Sequence, residues 1–382
     1  MVEQKTKNLL AGMIIRTLFG YSVFNFVLLS LTLEIAFSIT EVGVGALMAA
    51  YWVPAICLQF RIARYANVIG ENKLIVLGAL IVSAGSFIIS QALSFEFILI
   101  GRFISGVGAI LFWTPGIVIV SNVYPKDKIS FVTALIVLSY GIGTLFAMYL
   151  VPAQELLFGW RTIFLITSIY GLAVTVIAHL LTKNQRSERK KLPCSIRVAQ
   201  SRELLKIAVA QSLSMAVWTV FLTFFARTLI IEKMIDPALA SFTLIVASIG
   251  GIVFALVGGY LADIKYSRGL WIAVPLMFLS LIFFLVSFLA GVFYIVDLLL
   301  SWLIGALVWI PQGSIWSLPK IIEPDNPNTA MSLLVIITGI GATTLPVLFG
   351  LIVDFTGSFF YGYIFLALSV LFASLVSYRI KR

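Results

Sequence analysis

Charge is what this 382-residue chain has least of: Asp, Glu, Lys and Arg together make up 11% of it, where soluble globular proteins carry about 25%. A water-soluble fold of this length cannot cover its surface from so small a supply. An ordinary soluble protein is therefore excluded, and most of the outside must face lipid. Histidine is nearly absent. His179 is the single one, which removes bis-histidine haem ligation and HExxH zinc chemistry, since each needs two. The two cysteines, Cys57 inside an apolar run and Cys194 in a polar stretch, give neither a disulfide framework nor a CxxC metal site. No Walker pattern occurs, so ATP-driven pumping is not expected. Scattered carboxylates with one histidine offer no acid/base or nucleophile cluster, so neither an enzyme nor a cofactor is expected.

What the chain has in abundance is apolar length, with 61% hydrophobic residues. A helix needs roughly 20 apolar residues to cross a bilayer. The apolar runs predict spans over 9–32, 41–60, 73–93, 97–122, 130–152 and 161–181, then 204–228, 237–261, 269–289, 292–318, 328–352 and 358–378. The expected fold class is all-α integral membrane, twelve transmembrane helices in two six-helix bundles. Residues 1–182 form the first bundle, 183–203 a cytoplasmic linker carrying Arg189, Lys190 and Lys191, and 204–382 the second. The first run is too long for a signal-peptide core and reads as a retained span. Thr40 before Glu41 and Asp236 before Pro237 are usable helix starts.

The net charge of +10 does not point to nucleic acid, because the cations fall between apolar runs and not along one face. With the N-terminus inside, 21 of the 26 Lys and Arg lie on inner connections, while Arg161, Arg227 and Lys233 lie on outer ones and Arg16 and Arg102 within spans. Both termini are thus expected in the cytoplasm. The halves also repeat. Gly108-Ala109 matches Gly305-Ala306, Gly141-Ile142-Gly143 matches Gly339-Ile340-Gly341, and Pro125 matches Pro324, at offsets of 197, 198 and 199. A nearly constant offset across separate segments points to a parallel duplication of a six-span unit about an axis along the membrane normal.

Four further pieces carry a family resemblance. Gly259-Tyr260-Leu261-Ala262-Asp263-Ile264-Lys265, followed by Arg268, lies between spans eight and nine. Its counterpart between spans two and three is eroded: Asn67 stands at the Asp position and Val68 at the next, before Gly70 and Lys73. Span four reads Arg102-Phe103-Ile104-Ser105-Gly106-Val107-Gly108-Ala109, Gly159-Trp160-Arg161 opens span six, and Gly350 with Asp354 to Ser358 ends span eleven. Over nearly its whole length the chain resembles the major facilitator superfamily. That resemblance implies a transporter whose two bundles rock about a midplane site. It also implies that Asp263, Lys265 and Arg268, with Gly259 and their partners Gly70 and Lys73, form a cytoplasmic gate, asymmetric because one copy is degenerate.

Inside the spans, Arg102 is the sharpest residue. A buried arginine in hydrocarbon costs about 2.5–3.5 kcal/mol on insertion scales, so it should face the bundle interior or a wet cavity, where the family resemblance links it to substrate or proton coupling. The alternatives are a side chain that snorkels to the outer interface or a structural donor to span one. Asp297 in span ten holds nearly the equivalent place in the second half, which suggests a charge pair or a site shared between halves. Arg16 reads as an anchor within snorkelling reach of the inner end or as an anion-binding group. Asn25, Gln211 and Gln312 either bond a solute or join helices. Trp113 and Trp309 precede Pro115 and Pro311, which should kink spans four and ten, and both indoles are candidates to line a cavity. Glu34 could carry a proton or stand in water. Gly106-Val107-Gly108 lies in an apolar span with no Gly-Lys-Ser/Thr ending, so it serves helix packing and not a phosphate.

The expected function is a secondary active transporter that moves a small solute, anionic in view of Arg102 and Arg16, across the cell membrane with proton or exchange coupling. The expected partners are that solute, protons and the lipid bilayer, with the chain a monomer. Two rivals are a multidrug/proton efflux antiporter and a non-transporting membrane sensor with the same fold. The Gly-rich run with Gly-Pro that marks drug/proton antiporters is not matched at Gly141 and Gly143. The sensor is the reading that the eroded gate copy fits.

Overall fold

The computed structural model describes residues 2–121, 129–182, 201–262, 268–323 and 327–380. They fold into helices α1 (Val2–Phe37), α2 (Glu41–Ile69), α3 (Glu71–Ser90), α4 (Phe95–Ser121), α5 (Ile129–Thr182) and α6 (Arg202–Ile231). There follow α7 (Pro237–Ala262), α8 (Arg268–Leu289), α9 (Tyr294–Trp309), α10 (Gln312–Ile322), α11 (Pro327–Thr356) and α12 (Phe359–Tyr378). No strand occurs among the described residues. Among the described residues, eleven stretches are long and apolar enough to cross a membrane, so the protein is a multi-pass integral membrane protein. The two helix starts read from sequence hold: Thr40 accepts the amide of Gly43 at 3.4 Å, and Asp236 accepts those of Ala238 and Leu239 at 2.9 and 3.3 Å.

Two helices depart from one span per element. The 54-residue α5 is broken at Gly159, with φ 75° and ψ 163°, a region that side-chain-bearing residues avoid. Thr17 of α1 reports the reversal: its backbone meets Gly143 before the break, and its hydroxyl bonds Tyr170 after it at 2.7 Å. The arms are therefore antiparallel and correspond to spans five and six, which brings the crossings to twelve. Span ten is divided instead. Its helix ends at Trp309 and resumes at Gln312, with Pro311, which has no N–H to continue the ladder, between them. Span four, expected to kink at Pro115, runs as one helix to Ser121.

In the first half α1 packs on α5, α3 on α4 and α5, and α2 on α4; in the second α6 packs on α11 and α12, α7 on α9, and α8 on α12. Between the halves, α2 lies against α11 and α5 against α7. The sequence repeat is a repeat of these contacts. Gly143 sits on the backbone of Thr17, and Gly341 sits on the backbone of Ser212, so the same close approach joins spans one and five and spans seven and eleven. Gly106 and Gly108 likewise lie on the backbones of Tyr51 in α2 and Gly78 in α3, as packing glycines. A Cβ at Gly143 would press into the Thr17 backbone, 2.7 Å from its carbonyl carbon. Gly143→Val should therefore cost about 1–3 kcal/mol, the usual range for overpacking. Thermal unfolding in detergent checks this, and an unchanged Tm would refute the close contact.

Candidate functional site

The indoles and tyrosines of both halves meet where α1, α4 and α5 face α6, α9 and α10. Phe19 of α1 lies 4.8 Å from Trp113 of α4 and 5.2 Å from Tyr140 of α5, measured between ring centroids. Trp113 reaches Trp316 of α10 at 5.4 Å, and Tyr140 reaches Trp309 of α9 at 5.6 Å. Trp309 in turn meets Trp218 of α6 at 6.0 Å. Such edge and tilted contacts add to the area each ring buries. The result is an aromatic chamber spanning the half interface. One crevice in it lies among Tyr51, Trp52, Trp113, Met215 and Trp316, and a second among Tyr140, Trp218, Gly251 and Trp309.

Arg16 is the charge in this chamber. It is 1% exposed, its guanidinium carbon stands 3.7 Å from the centre of the Trp113 ring, and one Nη donates to the Trp113 carbonyl at 3.1 Å. Its Nε has no partner, and among the described residues no carboxylate pairs with it. The indole N–H groups of Trp52, Trp113 and Trp218 are also buried without a partner. The aromatic cluster thus holds several unused donors and one cation with no carboxylate partner among the described residues, and a buried polar group without a partner is costly. Gln312, just past the Pro311 break, accepts from Gln211 at 2.9 Å and from the Trp316 indole at 3.0 Å, which fixes the wall of the chamber. Asn25 donates to Thr167 at 2.8 Å and leaves its Oδ1 free.

Arg102 lies elsewhere. It is enclosed among α1, α2 and α4, where it donates to the carbonyls of Ser22 at 3.1 Å and Leu47 at 3.2 Å. Its guanidinium lies between the rings of Phe26 and Tyr51, at 4.5 and 4.4 Å. It joins three helices and, of the readings open from sequence, has the geometry of the structural donor. Asp297 does not meet it. That carboxylate is buried near the start of α9 and accepts the amide of Gly291 at 2.9 Å, so the suggested Arg102–Asp297 pair is not formed. Of the gate motif, Asp263 and Lys265 lie outside the described residues, Arg268 opens α8, Gly259 lies near the end of α7, Gly70 precedes α3 and Lys73 is exposed in its first turn. Sequence reasoning passed over Tyr140, Trp218 and Trp316. Tyr140 stands directly before the repeated Gly-Ile-Gly, which was the available signal.

Among the described residues, twelve crossings in two similarly packed halves, with an aromatic chamber between them, make a multi-pass helical membrane fold. Residues 10–197 match the Major Facilitator Superfamily, and the whole chain superposes on the E. coli fucose:proton symporter with a TM-score of 0.74, at 14% identity over 99% of this chain and 98% of that one. The protein belongs to the major facilitator superfamily, a family of transporters rather than enzymes. Among curated relatives it is 27% identical over 164 residues to a riboflavin transporter of Clostridioides difficile (strain 630), covering 42% of this chain and 35% of that one. It is 25% identical over 171 residues to a probable nitrate transporter of Staphylococcus carnosus (strain TM300), covering 44% of this chain and 42% of that one. The match spans less than half the length of either relative.

Proposed function

We propose that this protein is a secondary active transporter of a small anionic solute, with Arg16 and the surrounding indoles as its binding site. In this reading the bundles 1–182 and 204–382 rock about that site and expose it alternately to the two faces. The observation that carries it is Arg16: a cation 1% exposed, stacked on the Trp113 that meets Trp316 of the other half, with no carboxylate among the described residues paired to it. A bound anion supplies the missing charge, and the free Nε and indole N–H groups supply its hydrogen bonds. The aromatic walls favour an organic acid with a flat apolar part over a bare inorganic ion, since flat solutes gain from ring contact. The two relatives' names, riboflavin and nitrate, cover one flat solute and one anion. A multidrug efflux site for lipophilic cations is disfavoured by the same uncompensated arginine.

Binding is read directly from indole fluorescence of the purified protein. Titration with 2-naphthoate should give saturable quenching, and its uncharged amide, equal in shape, should bind at least about tenfold more weakly, a 1.4 kcal/mol difference. Equal affinity for the acid and the amide would remove the anion from the proposal.

A further inference from the structure

A second constellation lies at the end of the molecule away from the N-terminus, which the Lys and Arg asymmetry assigns to the outside. Arg227, counted from sequence as an outer-loop cation, is in fact held within α6 and is 2% exposed. A single nitrogen, Nη2, contacts Glu34 of α1 at 2.5 Å and Glu41 of α2 at 2.5 Å. These pairs cross between the halves. A third carboxylate closes in from the second half: Asp354 of α11 accepts the amide of Val42 at 3.2 Å, one residue from Glu41. Among the described residues, the salt bridges that join the two halves are those of this cluster.

The charges do not balance. Two carboxylates contact one guanidinium with a third beside Glu41, and Arg227 Nε, Arg227 Nη1 and Glu41 Oε2 are buried without partners. The other titratable groups nearby do not restore the balance. Glu232 at the end of α6 accepts the amide of Phe359 at 2.8 Å, Tyr363 of α12 shares a bond with Thr228 at 2.7 Å, and Lys233 lies beside Gly291, whose amide bonds Asp297. Two carboxylates brought to one nitrogen repel each other, and a proton on one of them relieves this. The Glu34 side chain is 26% exposed, so outer water reaches the cluster.

We propose that Glu34 and Glu41 form a proton-binding site that latches the outer face. With both ionised, Arg227 ties α1 and α2 to α6 and the outside is closed. A proton from outer water adds to a carboxylate oxygen, removes one negative charge from the Arg227 contact, and frees the first half to swing away from the second. This names the proton site for the coupling of the transporter reading and rests on that reading for its purpose, though its test needs no solute.

The test is the distance between spin labels on the outer loops of the full-length protein, at Leu93→Cys and Val292→Cys with Cys57→Ser and Cys194→Ser, both label sites being exposed. One linked proton changes the open-to-closed ratio by up to about tenfold per pH unit. Acidification from neutral to about pH 5, toward the carboxylate range, should therefore enrich the longer distance by about tenfold or more. Glu34→Gln with Glu41→Gln should be open at neutral pH and lose the response to acid. Glu34→Gln alone, at the more exposed site, keeps the test valid if the double variant does not fold, and should show a weakened response. An acid response of wild-type size in either variant, or none in the parent, would overturn the proposal. A protein that opens on acidification yet moves no solute would sink the transport reading and leave the latch standing. Solute transport with a fixed outer distance would do the reverse.

Discussion

Uptake of an organic anion into proteoliposomes falls at least about 30-fold when Arg16 is replaced by Gln, while the amount of folded protein stays close to normal. Removing one member of a buried, hydrogen-bonded charge pair costs about 2–5 kcal/mol, and 2 kcal/mol already corresponds to about 30-fold. Folding is spared because, among the described residues, Arg16 has no counter-ion to leave stranded and one hydrogen bond, to the Trp113 carbonyl. The unloaded protein loses mainly the stacking on Trp113 and is relieved of a buried charge. The check is initial uptake rate at sub-saturating solute, with size-exclusion profiles for the folded yield. Unchanged uptake would move the anion site away from Arg16.

At Arg102 the expectation reverses, and the effect falls on stability. Arg102→Ala empties the space between the Phe26 and Tyr51 rings and unties Ser22 and Leu47. Large-to-small replacement in a packed interior costs about 3–5 kcal/mol, so the variant should unfold well below the parent temperature or fail to accumulate. Arg102→Met fills the same space without a charge to desolvate, and uncharged replacements of matched volume are often tolerated. It should recover most of the lost stability and transport the solute. Thermal unfolding and uptake on the pair decide the matter. An Arg102→Met protein that is stable yet inactive would return Arg102 to the binding site.

The contrast between these two arginines shows where sequence reading reached its limit. Span positions, the near-constant offset of the repeat and the helix starts at Glu41 and Pro237 follow from hydropathy and capping, and all are local signals. Which side of a helix faces the other half is not local. These spans are apolar nearly all round, as buried membrane helices are, so no polar stripe shows that Arg16 turns toward Trp113 and Arg102 toward α2. The turn at Gly159 was legible locally, since Gly159-Trp160-Arg161 marks the start of span six, and one residue of positive φ makes the break there. Arg227 was read as a loop cation because it sits near a span end. Its partners, Glu34 and Glu41, lie 193 and 186 residues away in sequence, beyond any motif.

The placement of the outer contacts fits the alternating geometry proposed for the bundles. Gly45 of α2 meets the backbone of Pro346, and Gly350 of α11 meets that of Glu41, so the helices flanking the latch are in backbone contact there. The charged latch and this apolar seam act together, one set by proton occupancy and the other by packing. The chamber around Arg16 lies beneath them, among side chains from both halves, where a swing of one bundle changes its access.

The central claim, transport of an anion by this chamber, is tested most directly by flux into proteoliposomes. An imposed pH gradient is applied while uptake of an organic anion, its neutral amide and a lipophilic cation is followed side by side. Saturable, gradient-driven uptake of the anion, with the amide and the cation left near the level of empty vesicles, is the expected result. Uptake of the cation in preference to the anion, or saturable binding with no uptake of any of the three, would contradict the account.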